Sequence, residues 1–260
     1  MENFESVLQA MKPISLDEME SIKLMNRIDT KFIANRDRLV DILAMAHQHG
    51  YYAQEINGCR IAKYDTLYYD TADLAMYTMH HNRHLRRQKI RIRKYLGSDL
   101  TFLEVKNKTN TGRTKKKRRR IPEGDFPLNL TTALNDIPDV QAFIAEKSRF
   151  AVETLLPQLH TQFSRITLVN NAHTERLTID FNLVWVNDAT LRTMTFEKLI
   201  IIELKQDGHA NSEMKDILLS LRIHPAKMSK YCIGVALTNP QSKLNRFKPK
   251  IRKIKRLTSN

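Results

Sequence analysis

Seven segments of this chain carry charged residues at alternate positions, and that repetition limits the folds open to it more than any other feature. In "KIRIRKY", Lys89, Arg91 and Arg93 share one face of a strand while Ile90 and Ile92 share the other, because successive strand side chains point to opposite faces. "RIDTKF" groups Arg27, Asp29 and Lys31; "FLEVKNK" groups Glu104, Lys106 and Lys108 opposite Leu103 and Val105; "RTKKKRR" groups Lys115, Lys117 and Arg119. Arg165 marks the charged face of "QFSRITL". "RLTIDFNLVW" sets Arg176, Thr178, Asp180 and Asn182 against Leu177, Ile179, Phe181 and Leu183. "KLIIIELKQ" sets Glu203 and Lys205 against Ile202 and Leu204.

An open sheet with one solvated face suits mixed, mutually neutralising charges. Here cations dominate, and side by side they repel. A closed antiparallel β-barrel with its charged faces inward accounts for them better, because such a lumen must hold an anion. The predicted class is therefore α+β: a closed antiparallel β-barrel tunnel with surrounding helices over its apolar faces. Helices are predicted in "ISLDEMESIKLM", with Ser15 as N-cap, from Asn35 to Gly50, in "ADLAMYTMHHNRHLR" and in "NSEMKDILLSLRI". Residues 130–159 read as helical pieces broken by Pro138 and Pro157, and "PEGDFPLN" as a loop. The organisation expected is a helical segment over residues 1–21, a tunnel domain over 22–238 and a basic tail over 239–260.

Forty-three Lys and Arg against 28 Asp and Glu give a formal charge of +15, which calls for an anionic partner. Readers of single-stranded nucleic acid interleave aromatic rings with their cations. The alternates in "KIRIRKY" are aliphatic, and Tyr64, Tyr68 and Tyr69 lie on a strand with no basic row of its own, so nucleic acid is disfavoured. No glycine-rich phosphate loop is present, and Cys59 and Cys232 have neither metal-ligand spacing nor a disulfide framework. The acidic opening "MENFESVLQAMKP" lacks a secretory pattern and "LIIIEL" is too short to span a bilayer, so a cytoplasmic protein is expected. In the tail from Lys243 to Arg256, Leu244, Phe247, Ile251 and Ile254 fall near helical spacing. A membrane-surface contact is the weaker reading of that tail, since Pro249 interrupts it; a solvated segment in loose contact with anions is the plainer one.

Glu104 and Glu203 each stand two residues before a lysine, in "LEVK" and "IELK". Oxygen ligands of this kind suit Mg²⁺ or Mn²⁺, which take one or two carboxylates plus substrate phosphates. Neutralisation of neighbouring lysines is the alternative role for both.

The ordered set "RIDTKF", "YDTLYYDT", "KIRIRKY", "FLEVKNK", a basic strand, "SRITL", "RLTID", "IIELK" and "KMSKYCIGVA" resembles the VTC (vacuolar transporter chaperone) domain family, over nearly the whole chain. These are polyphosphate polymerases among the triphosphate tunnel metalloenzymes. The resemblance implies transfer of the γ-phosphate of ATP to a growing polyphosphate chain, with Mn²⁺ or Mg²⁺. By position it implies catalytic roles for Lys31, Arg91, Arg93, Lys106 and Arg165, and substrate contacts by Lys117, Lys227, Ser229 and Lys230; Lys205, on the charged face with Glu203, is a further candidate for substrate contact. Glu203 matches the metal-binding glutamate, with Glu104 a second candidate. Phe163 stands where the family has a tyrosine, which removes a hydroxyl. The wider superfamily's E-x-E-x-K signature is replaced by "RIDTKF". Hydrolysis of triphosphate or polyphosphate on the same barrel differs in acceptor alone, and a non-catalytic polyphosphate sensor is the third reading. Phosphoryl transfer to a phosphate oxygen needs positioning and charge neutralisation rather than a protein base.

Overall fold

The computed structural model describes residues 3–22, 27–121, 138–208 and 211–259. The predicted loop "PEGDFPLN" and the helical pieces expected before Pro138 lie outside the described residues. Helix α1 (Phe4–Ala10), strand β1 (Lys12–Ile14) and helix α2 (Leu16–Ser21) open the chain. Ser15 caps α2 through a reciprocal box: its Oγ accepts from the Glu18 N–H at 3.3 Å, and Glu18 Oε2 accepts from the Ser15 N–H at 2.8 Å. Strand β2 (Arg27–Asn35) leads through one 3₁₀ turn into helix α3 (Leu39–Gln48), followed by β3 (Tyr52–Gln54), β4 (Ala62–Asp70) and helix α4 (Ala75–His81). Strands β5 (Arg87–Leu96), β6 (Thr101–Lys108) and β7 (Thr114–Ile121) form consecutive hairpins. After helix α5 (Pro138–Lys147) come β8 (Leu156–Val169), β9 (Glu175–Asn187), β10 (Thr193–Phe196) and β11 (Leu199–Asp207). Helices α6 (Glu213–Ser220), α7 (Lys230–Thr238) and α8 (Lys248–Thr258) complete the chain. The helical expectation up to Leu159 gives way at Leu156, where β8 begins with Pro157 inside it.

The strands form one sheet in the order β2-β11-β9-β8-β4-β5-β6-β7, antiparallel at every step of this path. The barrel is open, not closed. Among the described residues β2 and β7 do not pair, and the sheet curls into a half-barrel. Closure would set the exposed run from Lys115 to Arg120 against a strand carrying Arg27 and Lys31. Like charges directly opposite destabilise a strand pair, and a lysine-rich edge resists pairing.

The convex side is apolar as the alternation requires. Phe32, Ile166, Leu168, Leu177, Ile179, Ile200, Ile202 and Leu204 pack under α1, α3 and α6. Ile90, Ile92, Leu103 and Val105 pack with Val140 and Ile144 of α5. The concave side is divided. One half carries the charged residues; the other is apolar and is covered by α7 and α8, with Ile33, Leu159, Phe163, Leu183, Trp185 and Ile201 meeting Tyr231, Val235, Phe247 and Ile254.

The alternation in β9 breaks at Asn182, which adopts φ +52° at a bulge opposite Gln162–Ser164. An inserted residue shifts the phase of everything after it. Phe181 therefore stays with the convex cluster, while Leu183 and Trp185 turn to the concave one; the sequence placed Leu183 with Leu177. Gly234 lets α7 press onto this surface: a Cβ there would meet Leu159 Cδ2 at 2.4 Å and Trp185 Cδ1 at 2.7 Å. Gly234→Ala is expected to cost about 1–3 kcal/mol by overpacking, read from urea unfolding midpoints.

Candidate functional site

The charged half of the concave side is a wall built across eight strands. Register fixes which side chains share it: Glu203 opposes Lys31 and Thr178, Lys205 opposes Asp29, and Arg165 opposes Asp180. Tyr68 and Thr66 oppose Arg91 and Arg93, Arg91 opposes Glu104, and Lys106 opposes Lys116. Lys31, Arg91, Arg93, Lys106, Arg165, Glu104, Glu203 and Lys205 thus stand on one face. Lys106 of β6 feels the charge of Glu203 on β11, so the two arms of the half-barrel face each other across the concave space.

The arginines are held in different ways. Arg91 is clamped by Glu104, Nε to Oε2 at 2.6 Å and Nη2 to Oε2 at 2.5 Å, and its Nη1 donates to Tyr68 Oη at 3.1 Å. Arg165 grips Asp180 with both prongs, at 2.6 and 2.9 Å, and Lys230 donates to the same carboxylate. Arg93 has no carboxylate partner among the described residues. Its Nε donates to Thr66 Oγ1 at 3.2 Å, and its guanidinium lies over Tyr64 and Phe163, 5.4 and 5.8 Å from the ring centroids. Those two rings stack at 5.2 Å and also lie under Arg165, with Lys230 4.0 Å above Phe163. Phe163, where the family pattern has tyrosine, therefore serves as an apolar cation platform.

Crowding and burial move the titrations. Arg91 and then burial bring Lys106 well below the ordinary lysine range. Burial brings Lys230 to about 8 despite Asp180, and lowers Lys89, Lys116 and Lys205. Burial alone would push the Tyr68 phenol up, yet Arg91, Arg93, Lys89 and Lys230 bring it down to about 8. Crowded cations of this kind are stabilised by a negative charge placed among them.

The two metal candidates differ. Glu104 is fully buried, with one oxygen taken by Arg91 and the other by Lys116 at 2.6 Å. Both its oxygens are spent, so it does not fit a metal-ligand role. Glu203 is a quarter exposed and its nearest cation, Lys31, is 3.9 Å away. Burial opposes its ionisation, but Lys31, Lys205, Arg165 and Lys106 hold the carboxyl well below its usual range. That open, ionised carboxylate fits a divalent cation shared with substrate phosphates.

Three of the sequence candidates stand elsewhere. Lys117 is opposite Val105 on the convex side, out of the wall; Lys116 and Arg118 take the inner positions. Ser229 is the N-cap of α7, accepting from the Cys232 N–H at 3.2 Å and from Lys89 Nζ at 2.8 Å. Lys227 lines a cavity beside α8. Wall residues not singled out from the sequence include Lys116, Tyr64, Thr66 and Tyr68. The signal for Lys116 was Ile121: buried in the convex cluster, it is in phase with Lys117.

A curled antiparallel sheet with a cationic hollow is the architecture of the triphosphate tunnel proteins. The chain belongs to the VTC-domain family, whose model matches residues 26–239. No curated protein sequence matches it. Among solved structures it is similar to a Hippeastrum protein assigned as an adenylyl cyclase and described as having a dominant triphosphatase activity. That match has 12% identity and a TM-score of 0.52, covering 83% of this chain and 98% of that one. It is also similar to a Vibrio parahaemolyticus protein assigned as an adenylate cyclase, with 12% identity and a TM-score of 0.45, covering 81% and 99%. Among the described residues no helix is long and apolar enough to cross a membrane.

Proposed function

We propose that the protein is a polyphosphate polymerase that moves the γ-phosphate of ATP onto a growing polyphosphate chain along this wall. The observation that carries the proposal is the excess of cations on one face: Arg93, buried with no carboxylate partner among the described residues, stands with the partly buried Lys106 and Lys230, whose pKa values are lowered even though Lys230 shares Asp180 with Arg165. Arg91, fixed by Glu104 and Tyr68, presents a preset fork to phosphate oxygens, and Arg93 adds a second with no ion pair to break. Lys106, Lys116, Lys205 and Lys230 spread positive charge along the triphosphate. Glu203 would hold Mn²⁺ or Mg²⁺, which when bound neutralises developing charge on phosphate oxygens. The attacking group is a terminal phosphate oxygen of the acceptor, already anionic, so the chain need supply no base; its task is to align donor and acceptor.

Hydrolysis uses the same wall with water as acceptor, and one experiment separates the two. Protein incubated with ATP and Mn²⁺ is expected to yield long polyphosphate on a gel. Free phosphate without polymer would make it a triphosphatase, and neither product would remove the proposal. Glu203→Gln is expected to lower turnover at least tenfold at any Mn²⁺ concentration while tripolyphosphate binding without metal persists. Turnover at the parent rate would contradict the role given to Glu203.

A pH dependence follows. Lys230 has a folded pKa of about 8 against 10.5, so between those values the unfolded chain holds a proton that the ligand-free fold lacks. At this site fold stability rises with pH through that window, and below it the fold carries the cost of the buried charge. A bound polyanion favours the protonated lysine, so binding takes up protons and weakens as pH rises from 7 to 9. Calorimetric titration with tripolyphosphate at pH 8, in two buffers of different ionisation enthalpy, is expected to show net proton uptake; no uptake would contradict it.

A further inference from the structure

A second group of cations stands beside the wall, built partly from residues outside the family match. Lys250 and Lys253 of α8 line a cavity of about 260 Å³ together with Lys227, Ile33, Pro225 and Met228. Lys227, Arg83 and Arg87 all act on Lys250, and Lys89, Arg87, Lys250 and Lys31 act on His80 in the same repulsive sense. Among the described residues none of Arg83, Lys89, Lys227, Lys250 and Lys253 makes an ion pair. The imidazole Nδ1 of His80 is buried without a partner.

We propose that this cavity is a second phosphate subsite, holding the outer part of a linear polyphosphate chain whose end lies on the concave wall. The inference rests on the proposed function and extends it to the product. One short segment joins the two: Lys227 lines the cavity, Ser229 accepts from Lys89 of β5, and Lys230 reaches Asp180 of the wall. The lining is lysine over an apolar floor with no aromatic ring, which grips phosphate without stacking bases. The apolar side of α8 is already committed, with Phe247 and Ile254 buried and Ile251 and Leu257 packed on the same cluster, so it has no stripe left for a bilayer. Pro249 sits in the first turn and starts this helix rather than interrupting it.

The test compares tripolyphosphate with long-chain polyphosphate as ligands of the full chain. Lys250→Gln/Lys253→Gln is expected to bind tripolyphosphate like the parent and long chains about tenfold more weakly at low salt. Its log–log salt slope for long chains should be shallower by about one to two. Lys250→Arg/Lys253→Arg should restore parent behaviour. Arg252→Gln/Lys255→Gln makes the same charge change at α8 positions that do not line the cavity, and should leave both affinities intact. Parent-like binding of long chains by Lys250→Gln/Lys253→Gln would overturn the proposal, as would an equal loss in the control pair. An equal loss for both ligands, or weakening for a single-stranded oligonucleotide alone, would also overturn it. A parent protein that binds no tripolyphosphate would remove the proposed function as well, which the parent arm reveals by itself.

Discussion

Arg93→Ala is expected to lower triphosphate turnover about ten- to hundredfold while the protein melts at or above the parent temperature. A charge-assisted contact to an anion is worth about 1.5–3 kcal/mol, and this guanidinium faces the concave space with Thr66 and two ring faces for company. Its ionisation is already disfavoured by burial, Arg91 and Arg165, so deletion relieves repulsion in the ligand-free fold. Lys at this position should recover part of the loss, because a point charge replaces a fork. Steady-state kinetics and a thermal melt, with and without tripolyphosphate, check both halves. Unchanged kinetics would return "KIRIRKY" to a structural strand.

Glu104→Ala should do the reverse, costing about 3–5 kcal/mol of stability by leaving buried cations unpaired. Arg91 and Lys116 would lose their shared carboxylate, and Lys106 and Arg93 a negative charge that favours their ionised forms. Arg91→Ala is expected to destabilise as well, since Glu104 would keep Lys116 alone as its close partner. From the sequence the two arginines look interchangeable; its contacts with Glu104 and Tyr68 give Arg91 a structural role beside the binding role proposed for it. Urea unfolding of Glu104→Ala with and without Mn²⁺ is the check. A parent-like midpoint that rises with Mn²⁺ only in the parent would make Glu104 a metal ligand after all.

Much of the half-barrel was legible because most of its strands alternate cleanly between two faces. "KIRIRKY" and "FLEVKNK" carry aliphatic alternates that fix their phase, and both stand as read. "RTKKKRRRI" hides its phase, because every residue from Lys115 to Arg120 is cationic; Ile121 alone marks the apolar face, and it puts Lys117 on that face and Lys116 on the wall. "RLTIDFNLVW" alternates well in sequence, yet the bulge at Asn182 turns Leu183 and Trp185 inward. A bulge depends on the partner strand, so periodicity within one strand cannot reveal it. Tyr64 and Tyr68 were set aside for want of a basic row, whereas their row comes from β5 through cross-strand register. Openness of the barrel likewise depends on two edges distant in sequence, where cations would meet.

The central claim is that the concave wall, and not the basic convex edge of β7, holds the phosphate chain. A crystal structure of the protein with tripolyphosphate tests it most directly. Phosphate oxygens are expected within hydrogen-bond reach of Arg91, Arg93, Lys106 and Lys230, with Glu203 facing the same chain. Tripolyphosphate seated instead on Lys115, Lys117 and Arg119, with the concave wall bare, would contradict the account.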